Sequence, residues 1–283
     1  LMTHDYEDDK TDNLVKLLSY GDMRIRQKAQ FELAKRTFWG YRALEKVIKE
    51  DENQFARIHA IWGIGQIAAN DKDDAKPLLN LLQDDDPEII AQSAKVLGDV
   101  RYEKAADSLI SLTTHENDRV KFFAAQALGR MKYENATEAL IAMIEANNDQ
   151  DLYLRHAAVL ALSRIGNAEP LLALANSDNK SLRIAAVLVL RKLQEPKISV
   201  FLSDEDEYII TETARAINDD LSIAAALPAL AATLNNEKLK SEPLLRRAIN
   251  AALRVGGDEQ LDMLINFAKR TNVSSDLRGE ALA

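Results

Sequence analysis

The chain has 283 residues, of which 47% are hydrophobic and 29% charged, a balance that supplies a core and a soluble surface. Its 36 basic and 45 acidic residues give a net charge of −9, which opposes non-specific nucleic-acid binding because phosphate counterions are displaced only by a positive field. Cysteine is absent, so disulfides, thiolate catalysis, Cys-ligated zinc and thioether-attached haem are excluded.

No stretch reaches the roughly 20 apolar residues that cross a bilayer, and no signal peptide is recognisable. Ala and Leu dominate, with only 10 glycines and 6 prolines, which points to an all-helical protein. The segment "LMTHDYEDDK" is acidic and aperiodic. Residues 1–11 are therefore expected to be a linker or a disordered tail. Residues 12–283 are expected to be a single array. The chain ends at Ala283 inside a periodic pattern and is read as a fragment of a larger multidomain protein.

From Asp12 onward, short amphipathic runs alternate with longer helices. "DNLVKLLSY" (Asp12–Tyr20), "AKPLLNLLQ" (Ala75–Gln83), "AADSLISLT" (Ala105–Thr113) and "AAALPALAATL" (Ala224–Leu234) have apolar residues at helical spacing. We call these helices A. The longer helices B are in register at the anchors Ile25, Ala56, Ile89, Val120, Leu154, Leu182, Ile209, Leu244 and Leu277. The anchors recur every 27 to 35 residues, about the period of a helical repeat. Three residues before them stand Asp22, Asn53, Asp86, Asn117, Asp151, Asn179, Asp206, Ser241 and Ser274. All nine are residue types whose side chains cap helix N-termini. Four residues after each anchor the side chain is small, from Ala29 to Ala281, which lets neighbouring helices approach.

The pattern Asp/Asn-x-x-[Ile/Leu/Val]-[Arg/Lys]-x-x-Ala resembles the shorter kind of HEAT repeat over nearly the whole chain. These units are shorter than the roughly 40–47 residues of longer HEAT units. The resemblance implies an all-α fold: a right-handed α-α superhelix, a solenoid of HEAT-like or armadillo type. About nine helix pairs are expected, the last truncated.

The residue after the anchor is basic in six units: Arg26, Arg57, Lys121, Arg155, Arg183 and Arg278. These are read as a structural ladder to the caps or turn carbonyls of neighbouring units rather than as an anion site. In "RIHAIWGIGQIAAN" (Arg57–Asn70), Gly65 stands nine residues past its anchor, as do Gly98 and Gly129 in the next two units. Each costs about 1 kcal/mol of helix propensity, and their repetition marks a seam of close helix packing. On helix B, offsets of two, three, six and ten residues from the anchor lie opposite the buried arc. Several side chains on this concave face form the candidate partner-binding site: His59, Trp62, Gln66, Phe122, Phe123, Gln126, Arg130, His156 and Arg164, with Leu160 among them. Aromatic, Arg and His side chains in this arrangement have the composition of an interface hot spot.

No HExxH, Gly-x-Ser-x-Gly or phosphate loop occurs, and His59 and His156 are about three units apart, too far for one metal ion. No catalytic residue, metal or cofactor is expected in this chain. "DDD" (Asp84–Asp86) and "SDEDE" (Ser203–Glu207) are read as solvated capping turns.

A closer resemblance rests on "ARIHAIWGIGQIA" (Ala56–Ala68), "RVKFFAAQALGR" (Arg119–Arg130), "YLRHAAVLALSRIG" (Tyr153–Gly166) and "PLLRRAINAALRVGG" (Pro243–Gly257). These look like the HEAT-like region of large bacterial proteins that have a sorbosone/glucose-dehydrogenase-like β-propeller before it and a cytochrome c domain after it. The resemblance implies a non-catalytic scaffold within an exported, periplasmic quinoprotein electron-transfer polypeptide. Its concave face would dock the propeller or the cytochrome c domain, and neither nucleic acid nor membrane would be a partner. The alternative is a HEAT-like enzyme. A chromophore lyase has a diffuse site, whereas a DNA glycosylase needs a basic concave groove, which the net charge opposes.

Overall fold

The computed structural model describes residues 3–219 and 223–283. Among the described residues every regular element is helical. Contacts group the chain into two compact units where the sequence suggested one array: Leu1–Met143 with Asp151–Ile165, and Ile144–Gln150 with Gly166–Ala283.

In the first unit the helices are α1 (Thr11–Leu17), α2 (Met23–Lys35), α3 (Thr37–Glu50), α4 (Gln54–Ala68), α5 (Pro87–Asp99), α6 (Ala106–Leu112) and α7 (Asp118–Met131). They are followed by α8 (Thr137–Asn147), within which the division falls, and α9 (Leu152–Ile165). The second unit holds α10 (Glu169–Ala173), α11 (Lys180–Leu193), α12 (Glu207–Asn218), α13 (Leu227–Ala232), α14 (Glu242–Val255), α15 (Asp258–Ala268) and α16 (Ser275–Glu280). The B helices are α2, α4, α5, α7, α9, α11, α12, α14 and the short α16. Two A positions, Lys72–Gln83 and Pro196–Ser203, wind as 3₁₀ helix rather than α. Pro77 lies inside the first of these, where its missing N–H and its ring disfavour a regular α-helix.

The capping register holds at eight of the nine positions. Asp22, Asn53, Asp86, Asn117, Asn179, Asp206 and Ser274 accept backbone N–H groups of their own helices. Asp151 does the same, accepting from Tyr153 and Leu154 at 2.6 and 3.2 Å. Ser241 is the exception. Its hydroxyl accepts from Thr211 Oγ1 at 2.9 Å instead, and its N–H donates to Glu207 at 2.6 Å, so it ties two B helices together. The small residues four past each anchor are all buried, from Ala29 at 0% exposed to Ala281 at 5%.

The N-terminal segment departs from expectation. Tyr6 is buried, and the Arg36 guanidinium donates to the carbonyls of Asp9, Glu7 and Tyr6 at 2.6, 2.9 and 3.1 Å. Residues 3–10 are thus docked on the first helices, because one arginine satisfies three carbonyls while the tyrosine ring leaves water.

The glycine seam is confirmed in atomic detail. A Cβ on Gly98 would lie 2.5 Å from Ala127 Cα, and one on Gly129 would lie 2.5 Å from Ala161 Cα. In both cases position nine of one B helix abuts position seven of the next. Backbone cannot swing aside as a side-chain tip can, so Gly98→Ala is expected to cost about 3 kcal/mol in overpacking. That outweighs a propensity gain of about 1 kcal/mol. The net loss of about 2 kcal/mol should appear in urea melts, with Gly21→Ala, where nothing lies within 4 Å, as the control. An unchanged or raised midpoint for Gly98→Ala would show that the seam yields.

Candidate functional site

The B helices of the first unit pack side by side in the order α2, α4, α5, α7, α9. The nominated residues all belong to this unit, but the structure sorts them into different roles.

His59 is not on the open face. It is 3% exposed, wedged between α4 and α2. Arg26 Nε donates to its Nε2 at 3.1 Å, and its Nδ1 meets Gln30 Oε1 at 2.7 Å. An Arg N–H only donates, so Nε2 must be the acceptor and Nδ1 carries the proton. Burial, with the Arg26 charge as the smaller contribution, pushes the imidazole pKa down to about 4. In α4 and α5 the third position past the anchor turns toward the preceding B helix, which is why His59 and Gln92 are both buried. His59 is therefore a neutral structural residue behind the site.

Trp62 is half-buried and packs edge-on against His59, with centroids 5.0 Å apart at 73°. Its Nε1–H donates to Gln92 Oε1 at 2.8 Å, and Gln92 Nε2 donates to Glu88 at 2.7 Å. Glu88 in turn takes Arg119 Nε at 2.7 Å. The indole is thus locked by a relay across α4, α5 and α7 while it lines a cleft. Beside it opens a cleft of about 450 Å³ between α2, α4 and α5. Gly65, Ala69, Val96 and Val100 supply apolar surface, while Gln27, Gln30, Gln66, Lys95 and Asp99 line it with polar groups. Gln66 is exposed, and its Oε1 accepts Gln30 Nε2 at 3.2 Å.

Of the other nominated residues, Arg130 reaches the cleft edge by pairing with Asp99 at 2.7 Å. Phe122 and Phe123 are half-buried and in edge contact with each other at 5.2 Å, and the Arg119 guanidinium lies 5.1 Å over the Phe123 ring. Phe122 lines a separate cleft of about 280 Å³ with Asp118, Arg119, Asp151, Tyr153 and Leu154. Gln126, Leu160 and Arg164 are half-buried and His156 is exposed, and none of these four lines either cleft. The nominated set therefore divides into a Trp62 site, a Phe122 site and an open remainder. Sequence reasoning missed Gln27, Gln30, Gln92, Lys95 and Asp99. Most of these occupy the same offsets as the nominated residues and were passed over because they are neither aromatic nor His nor Arg.

Of the six ladder positions, Arg57 and Arg183 make the expected contacts to the next unit, whereas Arg26 donates to the Tyr20 and Gly21 carbonyls of its own turn and to His59. Arg57 pairs with Asp84 at 3.2 Å and donates to the Ile48 carbonyl, while Arg183 pairs with Asp204 at 2.8 Å and donates to the Ser177 carbonyl. The carboxylate used lies two residues before the cap rather than being the cap itself. "DDD" and "SDEDE" are turns as expected, but Asp204 is withdrawn from solvent and Asp84 is largely so. Lys121 pairs within its own helix with Asp118 at 2.6 Å.

Among the described residues no group of three or more His, Cys, Asp or Glu is placed to hold a metal ion, and no helix is long and apolar enough to cross a membrane.

Paired helices in capped register, joined along a glycine seam, define an all-α repeat superhelix. A family model described as HEAT repeats matches residues 41–121 and 75–163. Importin beta is similar in fold, at 14% identity and a TM-score of 0.56, over 95% of this chain and 45% of that one. An engineered protein is similar at 18% identity and a TM-score of 0.45, over 96% and 87% of the two chains. The complex of CpcE and CpcF of phycocyanin lyase from Nostoc sp. PCC7120 is similar at 20% identity and a TM-score of 0.45, over 80% and 92%. No curated protein matches the sequence.

Proposed function

We propose that this chain is a non-catalytic protein-interaction scaffold and that the B-helix face of its first unit docks a partner domain. The observation that supports this most is the Trp62 cleft. An indole held by its N–H over apolar surface, with amides at the rim, has the make-up of an anchor pocket for a partner's side chain. Gln66 and Arg130 flank it, with Phe122, Phe123, Gln126, His156 and Arg164 along the same helices. The resemblance to the repeat region between a dehydrogenase-like propeller and a cytochrome c domain makes such domains the first partners to test, in a periplasmic setting.

The test uses Trp62→Ala in a Trp39→Phe background, because Trp39 is 72% exposed and would dominate the fluorescence. Trp62→Ala is expected to cost well under the roughly 3–5 kcal/mol of a fully buried aromatic. Binding of the separately produced propeller or cytochrome c domain should weaken at least about tenfold, a loss of about 1.4 kcal/mol. In the parent, a neutral quencher should reach Trp62 in the free chain and lose access on binding. A substitution that unfolds the unit, or leaves the binding unchanged, would make Trp62 a packing residue only.

A further inference from the structure

We propose that the partner segment received by this face is acidic: a stretch rich in Asp and Glu bearing one apolar side chain that enters the Trp62 cleft. The inference rests on the scaffold reading above and deepens it. It is carried by the way charge is partitioned. The whole chain has a net charge of −9. Yet on α2, α4, α5, α7 and α9, the offsets two, three, six and ten carry Lys28, Lys35, Lys95, Arg130 and Arg164 against Asp99 alone. Five cations to one carboxylate is the reverse of the chain's overall sign.

The local geometry points the same way. Lys95 and Arg130 converge on Asp99 at 2.8 and 2.7 Å, so one carboxylate serves two cations at the cleft edge. All three side chains remain open to a ligand, at 38%, 30% and 38% exposure for Lys95, Arg130 and Asp99 respectively. Lys35 lies 3.6 Å from Glu32, its own helical neighbour, and Lys28 sits 5.9 Å over the Tyr6 ring. An incoming carboxylate at the edge of the cleft completes the Lys95–Asp99–Arg130 cluster, and the adjoining apolar surface takes a Leu or aromatic side chain. A partner of that sign is also drawn in at long range along the basic face, which raises the association rate more than the final affinity.

A nucleic acid fits less well. Its phosphates require dense cation contacts to release counterions, whereas here five cations are spread over four helices and several are already engaged. A Trp-walled cleft with Gln amides suits a protein side chain.

The experiment titrates the full chain with labelled peptides of about twelve residues. Such a peptide extends to about 40 Å, enough to cross from α4 to α9 at about 10 Å per packed helix. The first probe alternates Asp and Glu around a central Leu; the second replaces every acid by its amide; the third replaces Leu by Ser; the fourth is a DNA duplex of about twenty base pairs. The first peptide should bind, and its Kd should rise at least about tenfold between about 50 and 300 mM salt as the Debye length shrinks. The amide peptide and the Ser peptide should each bind at least about tenfold more weakly, and DNA more weakly still. Charge reversal by Lys95→Glu with Arg130→Glu should abolish the salt dependence. Arg164→Glu, outside the Asp99 cluster, checks the effect in a variant that leaves that cluster intact, and circular dichroism confirms that both variants fold. Equal binding of acidic and amide peptides, with Trp62→Ala weakening both, overturns the acidic partner but keeps the scaffold. Binding indifferent to Trp62→Ala overturns both. No binding by the acidic peptide, or tighter binding of DNA, overturns this proposal.

Discussion

Asp204→Ala is expected to destabilise the second unit by about 3–5 kcal/mol, the range for removing one partner of a buried ion pair. Arg183 and Asp204 have side chains only 8% and 3% exposed. The guanidinium Nε donates to Asp204 at 2.8 Å and Nη1 to the Ser177 carbonyl at 2.6 Å. Asp204 also accepts the Asp206 N–H at 2.8 Å, which shapes the turn leading into α12. Deleting the carboxylate leaves a charge that water cannot reach and frees the turn at the same time. Urea denaturation followed by far-UV circular dichroism, with amide exchange in α11 to localise the effect, measures the loss. Asp84→Ala is the internal comparison. Its pair with Arg57 is 16–17% exposed, so solvent takes up part of the penalty and the loss should be smaller. The double variant Arg183→Met with Asp204→Ala should recover much of the stability, because an apolar pair replaces a buried charged one at little cost. Equal losses at Asp204 and Asp84, or no recovery in the double variant, would show that the carboxylate acts only through the turn.

The repeat was legible because its signals are local. A capping side chain reads the N–H groups two or three residues on, so Asp22 through Asp206 declare helix starts in the sequence itself. The small residue four past each anchor and the glycines at Gly98 and Gly129 announce close packing for the same reason. Ser241 departs because its alternative partners, Thr211 and Glu207, lie on another helix and are invisible to a local reading. The site was legible only in part. A helical wheel shows which way a residue faces relative to its own helix A. It does not show that the third position past the anchor turns toward the preceding B helix, as in α4 and α5. His59 was therefore placed in the open when it is enclosed, and Gln92, which holds the Trp62 N–H, was overlooked. Lys95 and Asp99 were missed for a different reason: each is an ordinary surface charge until α7 brings Arg130 beside them. The N-terminal segment reads as linker because its ordering depends on Arg36, some thirty residues along the chain.

Acidification is expected to weaken the first unit through His59, before most carboxylates titrate. Its folded-state pKa is lowered to about 4 from the ordinary imidazole value of 6.5, by burial first and by the Arg26 charge second. Between those values the unfolded chain binds a proton that the folded chain refuses. Stability therefore rises with pH across that window. The contribution is complete above about pH 6.5 and is lost progressively as the pH falls toward 4. A shift of this size corresponds to about 3 kcal/mol, at up to about 1.4 kcal/mol per pH unit. The structural cause is specific. A proton on Nε2 would oppose the Arg26 N–H that now donates to it, so the charged ring loses that hydrogen bond and gains a repulsive neighbour. Carboxylates held low by their partners, such as Asp22 beside Arg24 at about 2, lose stability in the same direction but further into acid. His59→Gln separates the two contributions, since it removes the titrating ring and leaves the carboxylates. The difference between parent and variant in urea stability should be flat above pH 7 and should narrow by up to about 3 kcal/mol between pH 6.5 and 4. Nitrogen-15 NMR of the parent should show the proton on Nδ1 through that range. Because the imidazole edge packs on Trp62, emission in the Trp39→Phe background should change as His59 takes up its proton. Parallel pH profiles for the parent and His59→Gln, or an imidazole titrating near 6.5 in the folded chain, would mean that the Arg26–His59–Gln30 network is open to solvent and does not hold the wall of the Trp62 cleft.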